Sequence, residues 1–125
     1  MAVSKAKVLV VEDEFLIRWD LVAALEDAGF STVEAGSAAE AISVLERDRD
    51  IRVVFTDIQM PGSMDGLALA NYVRGRWPPT IIVISSAIPF SKMQGVPSGV
   101  GMLPKPLDRS ALKSLLSRIE HQLGS

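Results

Sequence analysis

The sequence predicts an α/β fold, a doubly wound parallel sheet of five strands with helices on both faces. Three observations predict it. Short apolar runs rich in Val and Ile recur along the chain without polar alternation, as strands covered on both faces do. Helical stripes stand between those runs, and no hairpin signal joins two of them. The 125 residues, 48% hydrophobic and 22% charged, supply one core and one domain.

Lys7-Val8-Leu9-Val10-Val11 is the first strand, stopping at acids. Ile17, Leu21, Ala24, Leu25 and Ala28 then fall on one helical stripe, with Trp19 beside it and expected to pack. Gly29 follows where a C-terminal cap favours positive φ. Thr32 to Ala35 is a short strand, and Ser37-Ala38-Ala39-Glu40 is a capping box opening a helix through Ala38, Ala41, Ile42 and Leu45. The charged run from Glu46 to Asp50 reads as the solvated end of that helix and its loop.

Ile51 to Phe55 is the third strand, ending in Thr56-Asp57. A turn at Pro61-Gly62 leads to a helix from about Asp65 to Arg76, with Leu67, Ala70 and Val73 inward; Pro78-Pro79 stops it. Trp77, at its end, is expected to be partly exposed. Thr80 to Ile84 is the fourth strand, closing in Ser85-Ser86-Ala87. Residues 88 to 101 are rich in Pro and Gly, so any helix there is short, around Ser91 to Gln94. Val100 to Leu103 is the last strand, and Leu112, Leu115, Leu116, Ile119 and Leu123 stripe the final helix.

Charge and composition exclude several function classes. Lys+Arg 13 against Asp+Glu 15 leaves a net charge of -2, which argues against direct DNA binding or an anionic membrane surface. The absence of Cys removes disulfides, thiolate metal sites and Cys nucleophiles, and a single His121 removes a multi-histidine cage. Met1 to Lys7 does not read as a signal peptide, and no apolar run approaches the roughly 18–20 residues that span a bilayer. A cytoplasmic single domain over residues 1–125, without an effector domain, is the expectation.

In doubly wound sheets ligands bind beyond the carboxyl ends of the strands. Those ends deliver Glu12, Asp13 and Glu14, then Asp57, then Ser85 and Ser86, then Lys105 between Pro104 and Pro106. Clustered carboxylates repel unless a cation sits among them, and an all-oxygen donor set suits Mg²⁺. An ammonium and a hydroxyl opposite would complete a pocket for a phosphoryl group, with a central carboxylate as nucleophile. Singly, each residue has a plain structural explanation: helix-start acids, a turn Asp, loop hydroxyls, a surface Lys. For Glu14 the helix start is preferred. Their arrival together at successive strand ends favours one shared site.

Four segments then resemble, in order and spacing, the receiver domain of bacterial two-component response regulators. They are Val8-Leu9-Val10-Val11-Glu12-Asp13-Glu14; Asp57-Ile58-Gln59-Met60-Pro61 leading to Asp65-Gly66; Ile82-Val83-Ile84-Ser85-Ser86-Ala87; and Leu103-Pro104-Lys105-Pro106. The resemblance implies a flavodoxin-like strand order 2-1-3-4-5 and a cis-proline after Lys105. It implies that Asp57 accepts a phosphoryl group from a sensor histidine kinase or histidine phosphotransfer protein. Asp13 would ligate Mg²⁺ with Asp57 and the backbone carbonyl of Gln59, while Glu12 helps hold it. Ser86, ahead of small Ala87, and Lys105 would bond the phosphoryl oxygens. The protein would then be a self-catalysed phosphoacceptor rather than a conventional enzyme, signalling by protein contact as a stand-alone receiver.

The sequence departs from the family pattern at four places. Glu12 replaces the commoner Asp, and the loop from Pro61 to Gly66 is one residue longer than usual. Met102 stands where the family commonly carries Tyr or Phe, and the short segment between Ser86 and Lys105 predicts a short or irregular fourth helix. Met102 and the altered 88–101 segment favour, as the alternative, a degenerate receiver acting as a non-switching scaffold, while the intact Asp57, Lys105 and acidic pair weigh more heavily against it. A haloacid-dehalogenase-type phosphatase would carry a second Asp where Gln59 stands, and a flavodoxin would not have an acidic loop after its first strand.

Overall fold

The computed structural model describes residues 6–60, 62 and 64–124. The expectations on Met1 to Lys5, Pro61, Ser63 and Ser125 lie outside them. Its elements are β1 (Lys7–Val11), α1 (Phe15–Asp27), β2 (Ser31–Ala35), α2 (Ala38–Arg47), β3 (Ile51–Asp57), α3 (Gly66–Arg76), β4 (Ile81–Ser86), a 3-10 turn (Phe90–Lys92), β5 (Gly101–Pro104) and α4 (Arg109–Gly124). The sheet is five-stranded in the order β2-β1-β3-β4-β5, and every pairing is parallel.

Both sheet faces are covered, which explains the unbroken apolar runs. Val8 and Val10 point into a layer with α1 and α4, formed by Leu21, Val22, Leu25, Phe30, Phe55 and Leu112 among others. Leu9 and Val11 point the other way, against Ala41, Val44 and Leu45 of α2 and Leu69, Ala70 and Val73 of α3. Each fully buried aliphatic side chain contributes about 1.5–3 kcal/mol. The register shifts once: Lys7 pairs with Ile51 but Val8 pairs with Val53. The extra residue, exposed Arg52, is why Ile51 joins the α2/α3 layer while Val53 joins the α1/α4 layer.

Helix ends follow local chemistry. The Ser37 hydroxyl accepts from the Glu40 amide at 3.2 Å and caps α2. Asp65, expected inside the third helix, is instead its cap and accepts from the Ala68 amide at 2.9 Å. Gly29 takes φ 96°, as expected after α1. Between β4 and β5 the only helical element is the three-residue turn, so the fourth helix is indeed irregular. The 93–100 segment is held by α3, where the Asn71 side-chain amide donates to the Gly95 carbonyl at 2.9 Å. Val96, Val100, Met102, Met60 and Met64 pack against the α2/α3 layer.

Three packing expectations are corrected. On α3 the fully buried leucine is Leu69, whereas Leu67 is only partly buried. Trp19 does not pack; it is 61% exposed, and Ile17 at the head of the stripe is 37% exposed. The first turn of α1 leaves Phe15, Leu16 and Ile17 exposed, and Leu16 and Ile17 line a groove with Ser85, Leu103 and Lys105. No helix among the described residues is long and apolar enough to cross a membrane.

Candidate functional site

The parallel sheet brings the ends of β1, β3, β4 and β5 to one rim, and a pocket opens there. It is lined by Glu12, Asp13, Glu14, Asp57, Gln59, Ser86, Ala87, Ile88 and Lys105. The expected site residues are therefore brought together. Carboxylate oxygens of Glu12, Asp13 and Asp57 lie within 4.8 Å of one another. Lys105 spans two of them, its Nζ 3.0 Å from Glu12 Oε1 and 3.1 Å from Asp57 Oδ1.

Burial sharpens these interactions. Glu12 and Asp57 are buried and the Lys105 side chain is 20% exposed, so the ion pairs are only weakly screened by water. Burial pushes the Glu12 carboxyl above its usual range, outweighing the hydrogen bonds from Lys105 and from the Glu14 amide that pull it down. Burial lowers Lys105 in turn, but hydrogen bonds to Glu12 and Asp57 overcome it and hold the ammonium above its ordinary value. The group between the carboxylates is a firmly protonated cation.

The two serines separate. Ser86 is buried, lines the acidic pocket and accepts from the Ile88 amide at 2.9 Å. Ser85 lines a neighbouring apolar groove of about 450 Å³ with Leu16, Ile17, Leu21, Leu103 and Leu107. Glu14 is the N-cap of α1, as the helix-start preference requires, and its amide donates to Glu12 Oε2 at 3.1 Å. Glu12 is thereby fixed through both carboxylate oxygens. The peptide bond between Lys105 and Pro106 is cis, and Lys105 N–H donates to the Ser86 carbonyl at 2.9 Å.

Two supporting residues escaped the sequence reading as functional. Gly66 opens α3 so close to β3 that a Cβ there would lie 1.6 Å from the Asp57 carbonyl oxygen. Its amide donates to the Ile58 carbonyl at 2.8 Å, and the buried Thr56 hydroxyl donates to the Asp57 carbonyl at 3.0 Å. Asp57 is thus fixed by its backbone. The Asp65-Gly66 pair was visible as part of a resemblance, but the contact needs three dimensions. Arg18 is the second: its Nη1 donates to the Glu12 carbonyl at 2.6 Å and its Nε to Glu34 Oε1 at 2.9 Å.

Comparison with known proteins gives a consistent match. The response regulator receiver domain family matches residues 8–117. The sensor kinase CckA of Brucella abortus is 32% identical over 94% of this chain, and the DNA-binding transcriptional regulator NtrC of Escherichia coli K12 is 35% identical over 89%. The chain spans only 12% and 24% of the lengths of those two relatives. Among solved structures, the Vibrio cholerae chemotaxis protein CheY4 is 30% identical with a TM-score of 0.80, covering 92% of this chain and 98% of that one. A response regulator receiver protein from Sinorhizobium medicae is 30% identical with a TM-score of 0.82, covering 93% and 94% respectively.

Proposed function

Since this chain belongs to the response regulator receiver family of two-component signalling, we propose that it accepts a phosphoryl group onto Asp57 from a phosphohistidine donor. The observation that carries this is the Asp57 carboxylate at the end of β3, 3.1 Å from the Lys105 ammonium and grouped with Glu12 and Asp13. The donor is a sensor histidine kinase or a histidine phosphotransfer protein. The receiver signals by protein contact, and its net charge of -2 does not favour direct attachment to DNA or to an anionic membrane surface.

The donor set fits Mg²⁺: all its atoms are oxygens, its carboxylates are closely grouped, and Gln59 lines the same pocket. Asp13, Asp57 and the Gln59 carbonyl would hold the ion, with Glu12 helping. Bound there, the ion would supply charge neutralisation for the phosphoryl oxygens in an in-line transfer. Every other part belongs to the chain. An Asp57 carboxylate oxygen forms the new P–O bond as the P–N bond of the phosphohistidine breaks, and the bonding pair returns to the imidazole nitrogen. Lys105 and the Ser86 hydroxyl take phosphoryl oxygens. Water later cleaves the acyl phosphate and returns the carboxylate, so the protein is a self-catalysed acceptor rather than a conventional enzyme.

The test uses Mg²⁺ with beryllofluoride, a mimic of the aspartyl phosphate, followed by amide chemical shifts in wild type and Asp57→Asn. The expected result is a set of shifts in wild type that spread from the strand ends into residues 86 to 105 and vanish in Asp57→Asn. Absence of shifts in both proteins, together with no Mg²⁺ binding, would replace this proposal with the non-switching scaffold.

A further inference from the structure

The acidic loop after β1 carries two of the site's carboxylates, yet they are anchored differently. Both oxygens of Glu12 are held, one by Lys105 and one by the Glu14 amide. Asp13 is exposed, and its backbone sets the direction in which its Cα–Cβ bond leaves the loop. That backbone is fixed from two sides: the Glu12 amide donates to the Ala35 carbonyl at 3.0 Å, and the Glu12 carbonyl accepts from Arg18 at 2.6 Å. The Glu12 carbonyl and the Asp13 amide share one rigid peptide plane. Whatever orients that carbonyl orients the start of Asp13.

From these contacts we infer that Arg18 is a positioning residue for divalent cation binding, aiming Asp13 through the Glu12–Asp13 peptide. The inference rests on the receiver reading of the acidic pocket. Arg18 sits one turn into α1 and is itself held: Nε bonds Glu34 of β2 at 2.9 Å, and the guanidinium lies 5.8 Å from the centre of the Phe15 ring. Its side chain is only 19% exposed. A planar fork can bond a carbonyl and a carboxylate at the same time, which a lysine ammonium does less well. Arg18 therefore ties the loop to the edge strand without entering the pocket.

Electrostatics and positioning predict opposite signs here. Removing a positive charge beside grouped carboxylates tightens cation binding by Coulomb attraction alone. Loss of the peptide anchor weakens it, and partners of ligating groups are worth about tenfold or more in metal affinity. A purely structural role lowers stability and leaves the affinity of the folded protein unchanged.

The test titrates Mg²⁺ into wild type, Arg18→Ala, Arg18→Lys and Glu34→Gln, with amide shifts as the readout. We expect the Kd to rise about tenfold in Arg18→Ala, less in Arg18→Lys and least in Glu34→Gln. The Asp13 amide should also shift in metal-free Arg18→Ala. An unchanged or tighter Kd in Arg18→Ala overturns the inference while leaving the receiver reading intact. Should Arg18→Ala not fold, the same sign is read from Arg18→Lys, where an unchanged Kd overturns it equally. Failure of wild type to bind Mg²⁺ would remove the receiver reading and this inference together.

Discussion

At the scale of single residues, the Asp57 carboxylate is placed by backbone contacts made outside the acidic pocket. Gly66 is the sharpest case, because a methyl there collides with the Asp57 carbonyl at 1.6 Å. Gly66→Ala should cost about 1–3 kcal/mol in urea unfolding, and beryllofluoride shifts at Asp57 should weaken beyond what lost stability explains. Lys105→Ala should retain Mg²⁺ binding, since it removes a competing cation from Glu12 and Asp57. Its beryllofluoride shifts should stay at the strand ends without reaching residues 86 to 105. The carboxylates, the hydroxyl and the lysine were legible in the sequence because strand ends announce themselves as breaks in apolar runs. Gly66 was legible only as part of a motif, without its contact, and Arg18 was not legible. One acts by the absence of a side chain and the other by reaching back over a turn to a carbonyl, and neither leaves a periodic trace.

At the scale of elements, contacts between segments distant in sequence set the boundaries. Lys7 at the start of β1 bonds Asp48 beyond α2 at 2.8 Å. The Lys7 hydrogen bond holds the Asp48 carboxyl below its ordinary 3.8. A depressed carboxyl contributes stability above its unfolded value and loses it as pH falls through the folded one. The urea midpoint of wild type should therefore exceed that of Asp48→Asn at neutral pH, with the gap closing below pH 3.8. Lys7 is raised above 10.5, chiefly by the same bond, so its contribution persists up to that value and is lost only at higher pH. Asn71 is the corresponding tie for the segment between β4 and β5. Asn71→Ala should speed amide hydrogen exchange at Gly95 to Val100 while leaving α3 protected. The Pro/Gly-rich composition of that segment made its lack of a long helix readable in advance. Its attachment to α3 was not, since one side-chain amide on a distant helix provides it. Periodicity placed Leu21, Ala24 and Leu25 of α1 in the core correctly, but it misjudged the start of the helix, where Ile17 is exposed together with Phe15, Leu16 and Trp19.

At the scale of the whole molecule, the exposed start of α1 and the apolar groove beside Leu103 and Leu107 form an uncovered apolar surface next to an acidic pocket. On the proposed reading, a macromolecular donor would contact this surface on its way to Asp57, whereas a small phosphodonor would not. Trp19→Ala should accordingly slow transfer from a phosphorylated histidine phosphotransfer protein while leaving labelling by acetyl phosphate unchanged, as measured by phosphoprotein gel shift.

The two sides of the sheet also differ in what fills them. The α1/α4 layer is built from Val, Leu, Ile, Ala and Phe, while Met60, Met64 and Met102 gather against the α2/α3 layer. Branched and aromatic side chains have few alternative rotamers at native density; unbranched thioethers have many and refill a changed space with little strain. The α2/α3 layer, whose buried core is otherwise also Val, Leu, Ile and Ala, therefore carries a compliant margin of thioethers on its partly buried side. A displacement of the segment beyond Ser86 can be absorbed as methionine repacking at that margin, with the sheet itself left in register.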